Sequence, residues 1–196
     1  MTDFKIEKTN WFPTEVYSTK IDDSICDNIL HNIEHDKNEW EKGLRYVDAK
    51  TTGWNGLKRY QVIRELSDFI SKNVLPEIGK TKQWKYNNWY AHEAWINFYQ
   101  KNDKAHLHFH SVADYSAVLI VKPGKGNLIF AKTEDVQGLT KNFEQQINQR
   151  INEQKGTLLL FPSWLYHAVE DCETDRVTVA FNFTNEENIN AVQENK

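Results

Sequence analysis

The hydrophobic period of this chain switches once, near Trp84, and that switch limits the folds open to it. Upstream, Ile25, Ile29 and Ile33 recur every four residues with Leu30 beside them, the stripe of an amphipathic helix. Asp22, Asp23 and Ser24 offer N-cap oxygens at its start, and it is expected to end near Gly43. A second helix is expected from Arg59 to Leu75, with Val62, Ile63, Leu66, Phe69, Ile70 and Val74 as its apolar stripe and Pro76 and Gly79 marking its end. Before these helices, Trp11-Phe12-Pro13 reads as a loop and Val16–Thr19 as a short strand, and Thr51–Gly56 reads as a turn-rich link. Downstream, Trp89 to Tyr99 alternates in period two and is rich in Trp, Tyr, Ile and Phe. Ser116–Val121, Asn127–Phe130, Thr157–Phe161 and Arg176–Phe183 read as further strands, punctuated by Pro123-Gly124 and Gly126. Helices first and strands afterwards argue for an α+β fold with an antiparallel sheet system.

At 196 residues the chain suits one domain over 1–196, with 1–83 as helical support and 84–196 as the β core. Aromatics at 13 %, seven of them Trp, argue against disorder. The net charge of −4 and the lack of a Lys/Arg run argue against a nucleic-acid partner. No apolar run approaches the length of a membrane span, and the N-terminus lacks a secretory pattern, so no membrane association is expected. Cys26 and Cys172 read as free thiols of a cytoplasmic protein. Residues 131–155 interrupt the strands; Phe143, Ile147 and Ile151 suggest a short helix within a long loop, either a lid over a site or a surface excursion. A homo-oligomer is left open.

Three segments could carry chemistry. In His106-Leu107-His108-Phe109-His110, strand alternation turns all three histidines to one face. Imidazole is neutral and unprotonated near neutral pH and is the commonest metal-binding side chain, so the face could grip a metal or simply meet water. Gly156 through His167 is a continuous apolar strand, covered on both faces, that runs into Pro162 and then a histidine. That histidine stands at the rim of a core, where it could approach the first two or be a hydrogen-bonded core residue. Arg176–Phe183 alternates: Val177, Val179, Phe181 and Phe183 form one face, and Arg176, Thr178, Ala180 and Asn182 the other. An inward Arg needs an anion, and its planar fork matches a carboxylate, with the Thr178 hydroxyl beside it. Otherwise Arg176 turns to solvent or pairs with Asp171, Glu173 or Asp175.

Together these segments resemble the 2-oxoglutarate- and Fe(II)-dependent oxygenases, and among them a group of bacterial and phage type with a His-x-His motif. The resemblance rests on His108-Phe109-His110, Ser116–Val121, Gly156 through His167 with its Phe161-Pro162-Ser163-Trp164-Leu165 centre, and Arg176 through Asn182-Phe183, and extends more weakly through Gly53-Trp54 and Trp95-Ile96-Asn97. It implies a double-stranded β-helix, a jelly-roll or cupin-like core with the N-terminal helices packed on one sheet. It implies Fe(II) held by His108, His110 and His167, with 2-oxoglutarate and O₂ at open positions. Arg176 and Thr178 would hold the far carboxylate, with Asn97, Ser116 and Asn182 also toward the cosubstrate, and Trp95, Tyr99 and Trp164 near a substrate pocket. The implied reaction hydroxylates a C–H bond of a peptidyl or small-molecule substrate and releases succinate and CO₂.

The chain departs from the family where a carboxylate usually serves as second ligand, since His110 stands there. Asp114 or His106 could then be the alternative ligand. Ala117 replaces the usual Gly, and Ala131-Lys132-Thr133 stands in place of an expected Asp-Pro-Arg. Rival readings are a cupin-type metal enzyme that does not use 2-oxoglutarate, a catalytically silent binding module on the same fold, and a zinc hydrolase, since three histidines also suit zinc.

Overall fold

The computed structural model describes residues 5–11, 14–85, 87–131, 149–151 and 153–188. The strands are β1 (Glu7–Trp11), β2 (Thr14–Lys20), β3 (Glu41–Leu44), β4 (Val47–Thr51), β5 (Trp89–Tyr99), β6 (Ala105–His108), β7 (Tyr115–Lys122), β8 (Leu128–Ala131), β9 (Gln149–Arg150), β10 (Thr157–Pro162), β11 (Tyr166–Val169) and β12 (Arg176–Asn185). The helices are α1 (Asp23–Ile33), α2 (Gly56–Arg59), α3 (Gln61–Phe69) and α4 (Leu75–Lys82). The strands pair antiparallel in the order β1-β2-β10-β7-β12-β5-β4-β6-β11-β8-β9, with β3 on β4. This is the curled antiparallel sheet of a double-stranded β-helix within an α+β fold.

Strand alternation explains two cores. On one face of the central strands, Leu158 and Leu160 of β10, Ala117, Leu119 and Val121 of β7, and Val177, Val179, Phe181 and Phe183 of β12 meet Cys26, Ile29 and Ile33 of α1 and Val62, Ile63 and Leu66 of α3. On the other face, Leu159, Phe161, Val118, Ile120 and Ala180 meet Leu128 and Phe130 of β8 and Val169 of β11. Both faces are buried, so β7 and β10 are apolar at nearly every position, whereas β12 alternates apolar with buried polar residues. The expected face of β12 bearing Arg176, Thr178, Ala180 and Asn182 lies in the second core's interior, and all four residues are buried.

Several expected boundaries move. The first helix begins at its Asp22 cap, whose side chain accepts from the Ser24 N–H, but ends at Ile33. Gly43 instead sits in β3, at φ +77°. The second helix does not stop at Pro76. A π-helical turn over Ile70–Val74 carries the chain into α4, where Pro76 occupies the first turn and needs no N–H partner. Gly79 lies inside α4 against Trp84 and Asn87, where a Cβ would collide. The region 1–83 is not purely helical, for β1 to β4 lie within it and extend the sheet. Of the 131–155 expectations, the helix through Phe143 and Ile147 and any lid lie outside the described residues; Ile151 packs on the second core. Cys26 and Cys172 are both free and buried. Among the described residues no helix is long and apolar enough to cross a membrane.

Candidate metal centre

β6 and β11 are neighbours, and their register sets His108 directly opposite His167. His167 therefore lies on a short strand of its own rather than just beyond β10. His110 follows two residues after β6 ends, its backbone N–H donating to the Ser163 carbonyl at 2.9 Å. The ring centroids of His108 and His167 are 4.3 Å apart, those of His110 and His167 5.0 Å, and those of His108 and His110 5.3 Å. One ligand atom from each ring lies within 4.8 Å of the others.

Each Nδ1 is already engaged by the protein. In His108 it meets the His106 carbonyl at 2.6 Å, and in His167 the Leu165 carbonyl at 2.9 Å. A carbonyl only accepts, so both rings carry their proton on Nδ1. In His110 the Nδ1 meets Asn182 Oδ1 at 2.7 Å and Ser116 Oγ at 2.8 Å. Asn182 is oriented in turn, because its Nδ2 donates to Glu93 Oε2 at 3.0 Å and so turns Oδ1 toward His110. All three rings thus keep a free Nε2 lone pair, the arrangement that outer hydrogen bonds impose on metal-ligating histidines. Burial disfavours the imidazolium form. It lowers the His108 pKa, brings His110 down to about 4, and holds His167 well below its ordinary value, with the neighbouring rings adding to the last two. Three converging, neutral imidazoles fit a divalent metal, and they could hold Fe(II).

The alternative ligands lie elsewhere. The His106 ring sits half exposed with Nε2 at 3.2 Å from Asp48. Asp114 accepts from the Asn185 backbone N–H and from Asn188 Nδ2, both at 2.9 Å, and so ties down the end of β12. Neither joins the three histidines.

A cavity of about 480 Å³ opens against His108 and His110, lined also by Glu93, Trp95, Asn97 and Asn182, with Tyr46, Trp54, Phe109 and Val112 toward its rim. Of the expected pocket residues, Trp95 lines it with its ring 5.5 Å from His110, whereas Tyr99 is buried and Trp164 is exposed and outside it. Trp164 follows the Pro162-Ser163 turn, which points it outward. Ser116 and Asn182 bind His110 rather than standing apart from the metal group, and Asn97 lines the cavity with a buried Oδ1 that has no partner.

Arg176 is wholly buried beside Tyr99, its guanidinium 5.2 Å from the ring centroid, and it does not pair with Asp171, Glu173 or Asp175. Those three acids face Lys104, Lys125 and Lys122. Its partner is Glu153: Nε donates to Oε2 at 2.9 Å and Nη2 to Oε1 at 2.6 Å. Burial alone would lower the Arg176 pKa, and the Glu153 carboxylate more than reverses this. Nη1 is buried with no partner. Two residues of this arrangement escape the sequence reading. Glu93 shares the β5 face of Trp95 and Asn97, so its alternation could have flagged it. Glu153 lies in a polar stretch with no period to mark it.

Residues 93–182 match a family model described as "Putative 2OG-Fe(II) oxygenase". No curated protein matches the sequence. Among solved structures, a prolyl hydroxylase from Trichoplax adhaerens, in complex with a hypoxia inducible factor oxygen degradation domain peptide fragment, aligns at TM-score 0.62 and 13 % identity, covering 96 % of this chain and 86 % of its own. A Pseudomonas putida prolyl-4-hydroxylase aligns at 0.62 and 12 % identity, covering 91 % of each chain. HygX from Streptomyces hygroscopicus, with nickel and 2-oxoglutarate bound, aligns at 0.63 and 11 % identity, covering 87 % and 83 %. The segment that carries the three histidines and Asn182 belongs to the 2-oxoglutarate- and Fe(II)-dependent oxygenases. The enzymes described by that match use Fe(II), 2-oxoglutarate and O₂, and the three histidines here could hold the iron.

Proposed function

We propose that His108, His110 and His167 hold the Fe(II), and that Arg176, with Thr178 two positions along the same strand face, receives the far carboxylate of 2-oxoglutarate. The reaction is hydroxylation of a C–H bond in a peptidyl or small-molecule substrate, with release of succinate and CO₂. The observation that carries the ligand assignment is the engagement of all three Nδ1 atoms inside the protein, which leaves three Nε2 atoms for one metal. When bound, the iron with its 2-oxoacid supplies the oxidising chemistry. The chain's own contribution is geometric: Asn182, Ser116 and two backbone carbonyls fix the ring planes, and Phe161 and Phe130 wall the inner side of His167. Neutral ligands leave the full metal charge to attract a dianionic cosubstrate.

The substrate would enter from the cavity side. Exposed Tyr46, Trp54, Phe109 and Val112 give that opening an apolar border, which supports an extended peptide or a flat small molecule. The peptide held by the Trichoplax enzyme supports the first of these. The two free thiols support a reducing, cytoplasmic setting, and the domain is read as one unit over residues 1–196.

Anaerobic mixing of the protein with Fe(II) and 2-oxoglutarate should produce a visible charge-transfer band, and His167→Ala should abolish it. A band that survives in this variant removes His167 from the ligand set. Succinate release in air separates the assignment from a cupin-type enzyme that ignores 2-oxoglutarate.

A further inference from the structure

The cavity at the histidines stops short of Arg176. Its lining includes Asn97 but neither Arg176 nor Thr178, although Asn97 faces Thr178 across the β5–β12 pair. Behind that boundary the guanidinium already holds a carboxylate in the side-on, two-bond geometry that a ligand carboxylate would use. Glu153 is itself anchored, since its Oε1 also accepts from the Leu128 backbone N–H at 2.7 Å. It comes from the link between β9 and β10, and its side chain is buried with that of Arg176.

From this we infer that Glu153 is an internal competitor, a carboxylate of the chain that occupies Arg176 and must yield it when the far carboxylate of 2-oxoglutarate binds. The inference rests on the proposed role of Arg176. Its physical basis is charge balance. One buried guanidinium compensates one carboxylate, and a second brought beside it would be a buried anion without a counter-charge. The unpartnered Nη1 gives an incoming carboxylate its first foothold before Glu153 leaves. Glu153 thereby sets the cosubstrate affinity below what a free Arg176 would give.

The test measures dissociation constants of the anaerobic Fe(II) protein for 2-oxoglutarate and for 2-oxobutanoate, a 2-oxoacid without the far carboxylate. Glu153→Gln keeps the shape and removes the competing charge. It should tighten 2-oxoglutarate at least tenfold and leave 2-oxobutanoate unchanged. Unchanged or weaker 2-oxoglutarate binding overturns the inference, as does an equal change for both ligands. Arg176→Met separates the two levels. It should weaken 2-oxoglutarate at least thirtyfold and spare 2-oxobutanoate; if it spares both, the role of Arg176 itself is wrong. A wild-type measurement covers the case in which Glu153→Gln does not fold. On adding 2-oxoglutarate, but not 2-oxobutanoate, hydrogen exchange at the Leu128 amide should quicken as its Glu153 acceptor departs, and slower or unchanged exchange there overturns the inference.

Discussion

Asn182 sits where three requirements meet. Its Nδ2 is claimed by Glu93, its Oδ1 accepts from Ser116 at 3.0 Å, and the same Oδ1 faces His110 Nδ1. A histidine whose outer hydrogen bond is lost can rotate or change tautomer, and such losses typically cost about 10–100-fold in metal affinity. Asn182→Leu should therefore weaken Fe(II) or Co(II) binding by about that factor in a direct metal titration, while far-ultraviolet circular dichroism stays native. His106→Ala is the control. Its ring faces Asp48, so metal affinity should stay within about twofold although His106 belongs to the same short motif. At this scale the sequence carried much of the site. His-x-His and the histidine after Phe161-Pro162-Ser163 were visible as residue types with spacing, and the alternation of β12 put Arg176 and Asn182 on one face. The partners were not visible. Which carboxylate meets Arg176 depends on a link without periodicity, and the direction of His110 depends on β6 ending at His108, since past a strand's end alternation no longer decides direction.

The elements divide by how much of their burial is their own. β7, β10 and β12 are buried on both faces; near-continuous apolar runs mark β7 and β10, and period-two alternation marks β12. β4 and β11 are short and carry no long period: β4 contributes Ala49 to the second core, and β11 lies between β6 and β8, paired with one along each edge. They exist because neighbours supply their hydrogen bonds. At Pro76 the helical region departs from its expected end for a related reason. A proline usually reads as a stop, yet the π turn before it resets the bonding so that it falls in a first turn. The junction entering β10 shows how tightly the sheet is closed. Gly156 has φ +78°, its N–H donates to Ile120 at 2.7 Å, its carbonyl accepts from the Ile21 N–H at 2.8 Å, and a Cβ there would meet the Ile21 carbonyl. Gly156→Ala combines positive φ with a backbone clash and should destabilise the fold by about 2 kcal/mol or more in urea unfolding. Gly43→Ala, at a similar φ with open space around its Cβ, should cost only the conformational part, about 1 kcal/mol.

For the molecule as a whole, the three converging histidines couple folding to pH. In the unfolded chain each of His108, His110 and His167 titrates near 6.5. In the folded chain, without metal, burial holds all three below that, with His110 at about 4. Between those values the unfolded state binds more protons than the folded one, so stability rises with pH and falls on acidification through 6.5 toward 4. Each imidazole that titrates in this window adds a slope of about 1.4 kcal/mol per pH unit. The carboxylate of Glu15 acts in a lower window. Hydrogen bonds from Lys8, Lys82 and Tyr17 pull its pKa from 4.5 to about 2, so its contribution is complete above 4.5 and lost only below. A decline in stability between pH 7 and 5 therefore reports the histidines. Urea unfolding of the chelator-treated protein should show this decline, and His167→Leu should make it shallower. Added metal should stabilise the fold by an amount that grows with its free concentration over its dissociation constant. On the proposed ligand set that gain should shrink as the pH drops, because protons and metal would compete for the same Nε2 atoms. A metal-free protein whose stability stays flat from pH 7 to 5 would mean that the three rings are not held neutral by burial, and the convergence of their lone pairs on one ion would lose its physical basis.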